Sequence, residues 1–128
     1  MNQKRILIID DDIPLTQSMR INLEDTGEFE VRIVNESGAA LDAAREFEPD
    51  IILLDIVMPG LDGGDIAAAL KGEPALRDIP VIMVTALVSN EEAGEGAVVS
   101  SADQVMIAKP IRFEKLLQAI EERLAGVL

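Results

Sequence analysis

Ile51-Ile52-Leu53-Leu54-Asp55 is four consecutive aliphatic residues closed by a carboxylate. The run does not alternate, so it suits a strand buried on both faces, as at the centre of a parallel sheet covered by helices. The same form recurs along the chain. Ile6-Leu7-Ile8-Ile9 runs into Asp10-Asp11-Asp12, Val81-Ile82-Met83-Val84 into Thr85, and Val105-Met106-Ile107-Ala108 into Lys109-Pro110. A weaker run, Val31-Arg32-Ile33-Val34, reads as an edge strand.

Helical patterns separate these runs. Pro14 suits a first helical turn, Leu15, Met19 and Leu23 follow at i, i+4 and i+8, and Gly27 ends the pattern. Ser37 is placed to cap a second helix carrying Leu41, Ala44 and Phe47. A third helix covers roughly 64–71. The last carries the stripe Phe113, Leu116, Leu117, Ile120 and Leu124. The remaining helical segment must come from Ser89 to Ser101, where Gly94 and Gly96 each cost about 1 kcal/mol relative to Ala, so a short or frayed helix is expected. Five alternations of strand and helix indicate βαβ units with right-handed crossovers, a doubly wound α/β architecture in one domain spanning 1–128.

The chain's 128 residues are 48% hydrophobic and 27% charged, the composition of a folding globular domain. Eleven basic against 24 acidic residues give a net charge of −13, which repels a phosphate backbone and argues against direct nucleic-acid binding. There is no Cys and no His, so disulfides, thiolate or imidazole metal sites and imidazole bases are excluded. The N-terminal apolar run is too short for a signal peptide or a membrane span, which makes the cytoplasm the expected compartment.

In an open α/β sheet, ligands bind beyond the carboxyl ends of the strands. Asp10, Asp11, Asp55, Thr85 and Lys109 all fall at that edge. Carboxylates this close repel, and a hard divalent cation with oxygen ligands relieves the repulsion; Mg²⁺ suits one or two carboxylates plus water and a phosphate oxygen. A carboxylate beside a metal, a hydroxyl and a lysine is a phosphoryl acceptor in the making, and Asp55 is the natural nucleophile.

Ile6 to Asp12, the run Asp55-Ile56-Val57-Met58-Pro59-Gly60-Leu61-Asp62-Gly63, Thr85-Ala86 and Lys109-Pro110, in this order, resemble the receiver domain of bacterial response regulators, the chemotaxis regulator among them. The resemblance implies a flavodoxin-like five-stranded parallel sheet in the order 2-1-3-4-5 with helices on both faces. It implies that Asp55 accepts a phosphoryl group from a histidine kinase or a histidine phosphotransfer protein, and that Mg²⁺ is held by Asp10, Asp11, Asp55 and the backbone carbonyl of Val57. Thr85 would bond the phosphoryl group and move, Lys109 would pair with it, and the Lys109-Pro110 peptide would be cis. The partners are then a phosphodonor and a downstream output protein, or an output domain outside these residues. The domain would be a self-phosphorylating and autodephosphorylating acceptor rather than a turnover enzyme.

Other readings attach to some of these residues. Asp12 is better read as the cap of the first helix, and Asp62 as the cap of the third. Gly94-Glu95-Gly96 lacks the preceding strand and following Lys of a phosphate loop. Receivers often carry Tyr or Phe where this chain has Met106, and often Phe where it has Ile111, so Met106 becomes the switch residue and a change in the segment 89–101 the expected route of output. A small phosphatase of the haloacid dehalogenase kind, using Asp10 and Asp12, and an interaction module that has lost its switch are the competing functions.

Overall fold

A computed structural model describes residues 3–56, 63–85, 98–101, 104–108 and 111–126. In chain order the elements are β1 (Lys4–Ile9), α1 (Ile13–Asp25), β2 (Phe29–Val34), a 3₁₀ turn (Ser37–Ala39), α2 (Ala40–Phe47), β3 (Ile51–Asp55), α3 (Gly63–Gly72), β4 (Val81–Thr85), β5 (Val98–Ser101), β6 (Gln104–Ala108) and α4 (Phe113–Leu124). One sheet takes the order β2-β1-β3-β4-β6-β5. The five strands read from the sequence are mutually parallel and in the expected order.

Each central strand feeds both layers, because successive side chains point to opposite faces. Ile6 and Ile8 join Met19 and Leu23 of α1 and Leu116, Ala119 and Ile120 of α4. Leu7 and Ile9 join Ala44 and Phe47 of α2 and Ile66 and Leu70 of α3. Every residue of β3 is buried, the environment its unbroken run requires. β2 alternates buried and exposed positions along its first four residues and ends the sheet, as an edge strand with one wet face should.

Two expectations are corrected. The end of the segment 89–101, read as helical, is strand β5, antiparallel to β6 with Val98 opposite Ile107 and Ser101 opposite Gln104; residues 89–97 lie outside the described residues. Val98-Val99 is β-branched, and β5 ends at Ser101, two residues short of the start of β6 at Gln104, so pairing with β6 captures this segment where a helix bearing two Gly has no propensity advantage. Ser37 does not cap α2 from the N-cap position: it opens the 3₁₀ turn, and Ala39 stands at the cap without a side-chain bond. Asp12 does cap α1, its Oδ1 accepting from the Leu15 N–H at 3.1 Å.

Arg45 of α2 ties that helix to the residue after α3 by a two-pronged pair with Glu73. The hydrogen bonds from Arg45 hold the Glu73 carboxyl below its ordinary value, and Glu73 in turn raises the guanidinium.

Candidate functional site

The sheet's order reverses at β1: the chain passes to β2 on one side and later returns as β3 on the other. Loops diverge at such a point and leave a crevice beyond the carboxyl ends. Asp10 follows β1 directly, and Asp55 is the last residue of β3. Ile9 is in register with Leu54, so both chains deliver their acids at one height.

Asp10 is 2% exposed and Asp55 5%, while Asp11 is open to solvent. One carboxylate oxygen from each of the three lies within 4.8 Å of the others. Between the two buried acids alone, ionised and at that spacing, repulsion is about 3.5 kcal/mol at an effective dielectric of 20. The donor set is all hard oxygen, which a small divalent cation prefers. Two oxygens sharing one Mg²⁺ stand at most about 4.2 Å apart, within a carboxylate rotation of the spacing found. These residues therefore fit Mg²⁺.

Asp10 is held from three directions. Its Oδ1 accepts from the Asp12 N–H at 2.9 Å, its own N–H donates to the Val34 carbonyl at 3.1 Å, and its carbonyl accepts from Asn35 Nδ2 at 2.8 Å. The same amide nitrogen donates to Thr16 Oγ1 at 3.1 Å, and that hydroxyl, fully buried, donates to the Ile13 carbonyl at 2.9 Å. Asn35 thus pins the end of β1, the exit of β2 and the first turn of α1 together beneath the acids. Sequence reasoning missed both Asn35 and Thr16. The available signal was weak: a single Asn after an edge strand, and a hydroxyl one position from the apolar stripe of α1.

Thr85 closes β4, in register with Ala108 and one residue beyond the position that faces Asp55 across the ladder. Met106 is half-buried in β6, opposite Met83 of β4, and packs against the α2–α3 cluster. Lys109 directly follows the last residue of β6; Lys109, Pro110, Val57 and Asp62 lie outside the described residues. Asp12 Oδ1 accepts from the Leu15 N–H as the cap of α1, the role expected of this residue.

Relatives bear on the same geometry. The response regulator receiver domain family matches residues 6–121. The DNA-binding response regulator MtrA of Mycolicibacterium smegmatis is 32% identical over 95% of this chain and 51% of its own length. The DNA-binding dual master transcriptional regulator RpaA of Synechocystis is 36% identical over 91% of the chain and 47% of its own length. The chain spans about half the length of these curated relatives. Among solved structures, a CheY-like receiver domain protein of Methanospirillum hungatei superposes with a TM-score of 0.77 at 32% identity, covering 98% of this chain and 97% of that one. Chemotaxis protein CheY4 of Vibrio cholerae gives 0.79 at 25%, covering 95% and 99%. With the acid cluster at the sheet's switch point and a family match over most of its length, this chain belongs to the response regulator receiver domains.

Proposed function

We propose that this domain is a phosphorylation switch in which Asp55 accepts a phosphoryl group from a phosphohistidine donor, on a histidine kinase or a histidine phosphotransfer protein. The observation that carries this reading is the buried Asp55 carboxylate within 4.8 Å of two further acids. A lone pair on an Asp55 Oδ forms the new O–P bond as the P–N bond breaks, and the imidazole nitrogen keeps the bonding pair. Asp10, Asp11 and Asp55, with the Val57 carbonyl as a further ligand, would hold Mg²⁺, which would supply positive charge for the phosphoryl oxygens. The Thr85 hydroxyl donates to the phosphoryl group and the Lys109 ammonium pairs with it. Asp10 keeps its aim through the Asn35 bonds, so the cluster is organised before the donor arrives.

Phosphorylation then shifts a two-state equilibrium through Thr85 and Met106, and the product is a signal: the acyl phosphate hydrolyses at Asp55 itself, so the domain is not a turnover enzyme. Among the described residues no helix is long and apolar enough to cross a membrane; the site of action we assign is the cytoplasm. Relatives about twice as long bind DNA, so output is assigned to a domain or partner outside these residues, which at −13 do not favour a phosphate backbone themselves.

Intact mass after incubation with acetyl phosphate tests the reading without knowledge of the donor. One phosphoryl group gained with Mg²⁺, absent without it and absent in Asp55→Asn, is expected. Folded wild-type protein that gains nothing, from acetyl phosphate or from phosphotransfer proteins, would make the domain an unphosphorylated interaction module.

A further inference from the structure

β2 ends the sheet among the described residues, so no strand of the sheet covers its outer side. The carbonyls of Glu28 and Val34 accept from Lys4 and Asp10, so the even-numbered positions of β2 bond inward to β1. By alternation Phe29, Val31 and Ile33 turn their N–H and C=O groups outward. Around Val31 the sequence is antisymmetric in charge: Glu30 precedes it and Arg32 follows, with Phe29 and Ile33 beyond.

We propose that this edge self-associates as an antiparallel pair about a dyad through Val31, joining two sheets into one. Val31 then meets its own copy and Phe29 meets Ile33, all hydrogen-bonded positions, while Glu30 of each copy stands directly opposite Arg32 of the other. The pairing makes two cross-strand ion pairs from side chains that are half-exposed and whose ion pairs in the monomer are long, Glu30 to Arg5 at 3.5 Å and Arg32 to Glu46 at 3.8 Å; Arg32 also lies over the Phe47 ring, 4.9 Å from its centroid.

A second observation falls at the same height. Glu24 of α1 reaches down to the Val31 N–H at 3.3 Å, which marks the level of the helix beside the dyad. Ile21, three residues earlier on the same helical face, is 61% exposed. A dyad normal to the sheet keeps each face on its own side, so α1 lies beside its copy and the two Ile21 side chains close over the joined edge. A groove of about 440 Å³, lined by Gln17, Arg20 and the outer side of β2, runs along this line. Glu24 is the competitor: in the monomer it occupies the outward Val31 N–H, and it must release that bond for the strands to meet. One strand edge and one helix flank make a small contact, so association in the micromolar range is expected.

Sedimentation equilibrium over a concentration series tests the proposal, with charge reversals arranged so that they check one another. Glu30→Arg places Arg opposite Arg in both pairs, and Arg32→Glu places Glu opposite Glu; each alone should weaken dimerisation at least about tenfold. Mixed together, the two variants are complementary and should dimerise with each other, which also shows that both are folded. Ile21→Lys should weaken association in the wild-type background. Association is expected in Asp55→Asn as well, so the result is independent of phosphorylation. A wild type that stays monomeric throughout, single reversals that dimerise as the wild type does, or a mixture that fails to recover would each overturn the proposal.

Discussion

Asn35→Ala tests how the acid at the end of β1 is held in place. The substitution removes the amide that donates to the Asp10 carbonyl at 2.8 Å and to Thr16 Oγ1 at 3.1 Å. Each bond contributes about 1 kcal/mol net, and a carbonyl of a buried residue left without its donor costs about 1 kcal/mol more. Asn35 is itself half-buried, so water recovers part of this, and Thr16 keeps its bond to the Ile13 carbonyl. The expected loss is about 2 kcal/mol, read as a lower urea midpoint at unchanged m-value. In a domain of this size it corresponds to a Tm lower by roughly 8 °C. Because the freed groups position Asp10, Mg²⁺ affinity measured by titration should fall about tenfold, as for other groups that orient a metal ligand. A double-mutant cycle with Thr16→Val should give a coupling of about 0.5–1 kcal/mol. A stability change below about 0.5 kcal/mol with Mg²⁺ binding intact would refute the reasoning, since Asn35 would then tie nothing to the site.

Mg²⁺ should stabilise the wild type, by about 2.7 kcal/mol at a concentration 100 times its Kd, and this increment should vanish in Asp10→Asn; calorimetry with and without chelator measures it. Glu48 follows α2 with φ of 51°, a left-handed backbone that Asn tolerates better than Glu, so Glu48→Asn should raise stability by about 0.5 kcal/mol in urea unfolding. Glu73 is held below its ordinary value by hydrogen bonds from Arg45, so its contribution is complete above the ordinary Glu value and is lost as pH falls through the depressed one. Urea midpoints of wild type and Glu73→Gln should therefore differ at neutral pH and converge in acid; the pair is solvent-exposed and the difference small.

The centre of this fold was legible because its physics is local. Ile6 to Ile9 and Ile51 to Leu54 are apolar at every position, and only a strand covered on both faces gives all of them a place. Asp10 and Asp55 were legible for the complementary reason, since an acid ending such a run must sit at the sheet's carboxyl edge. Val98–Ser101 was misread because four residues specify a strand only through a partner, and antiparallel pairing with β6 outweighed the expectation of one more helix. Asn35 and Thr16 stayed hidden because their bonds span 25 and 19 residues and leave no periodic trace. Ser37 looked like a helix cap, yet the chain enters α2 through a 3₁₀ turn and places Ala39 at the cap.

The most direct test of the account is to locate the phosphoryl group. Protein treated with acetyl phosphate and Mg²⁺ is reduced with labelled borohydride, which attacks acyl phosphates, then digested and mapped. Label confined to Asp55, and dependent on Mg²⁺, is the predicted result. Label on Asp10 or Asp11 instead would contradict it, because the acid that closes β3 would then be a ligand only and another carboxylate of the cluster the acceptor.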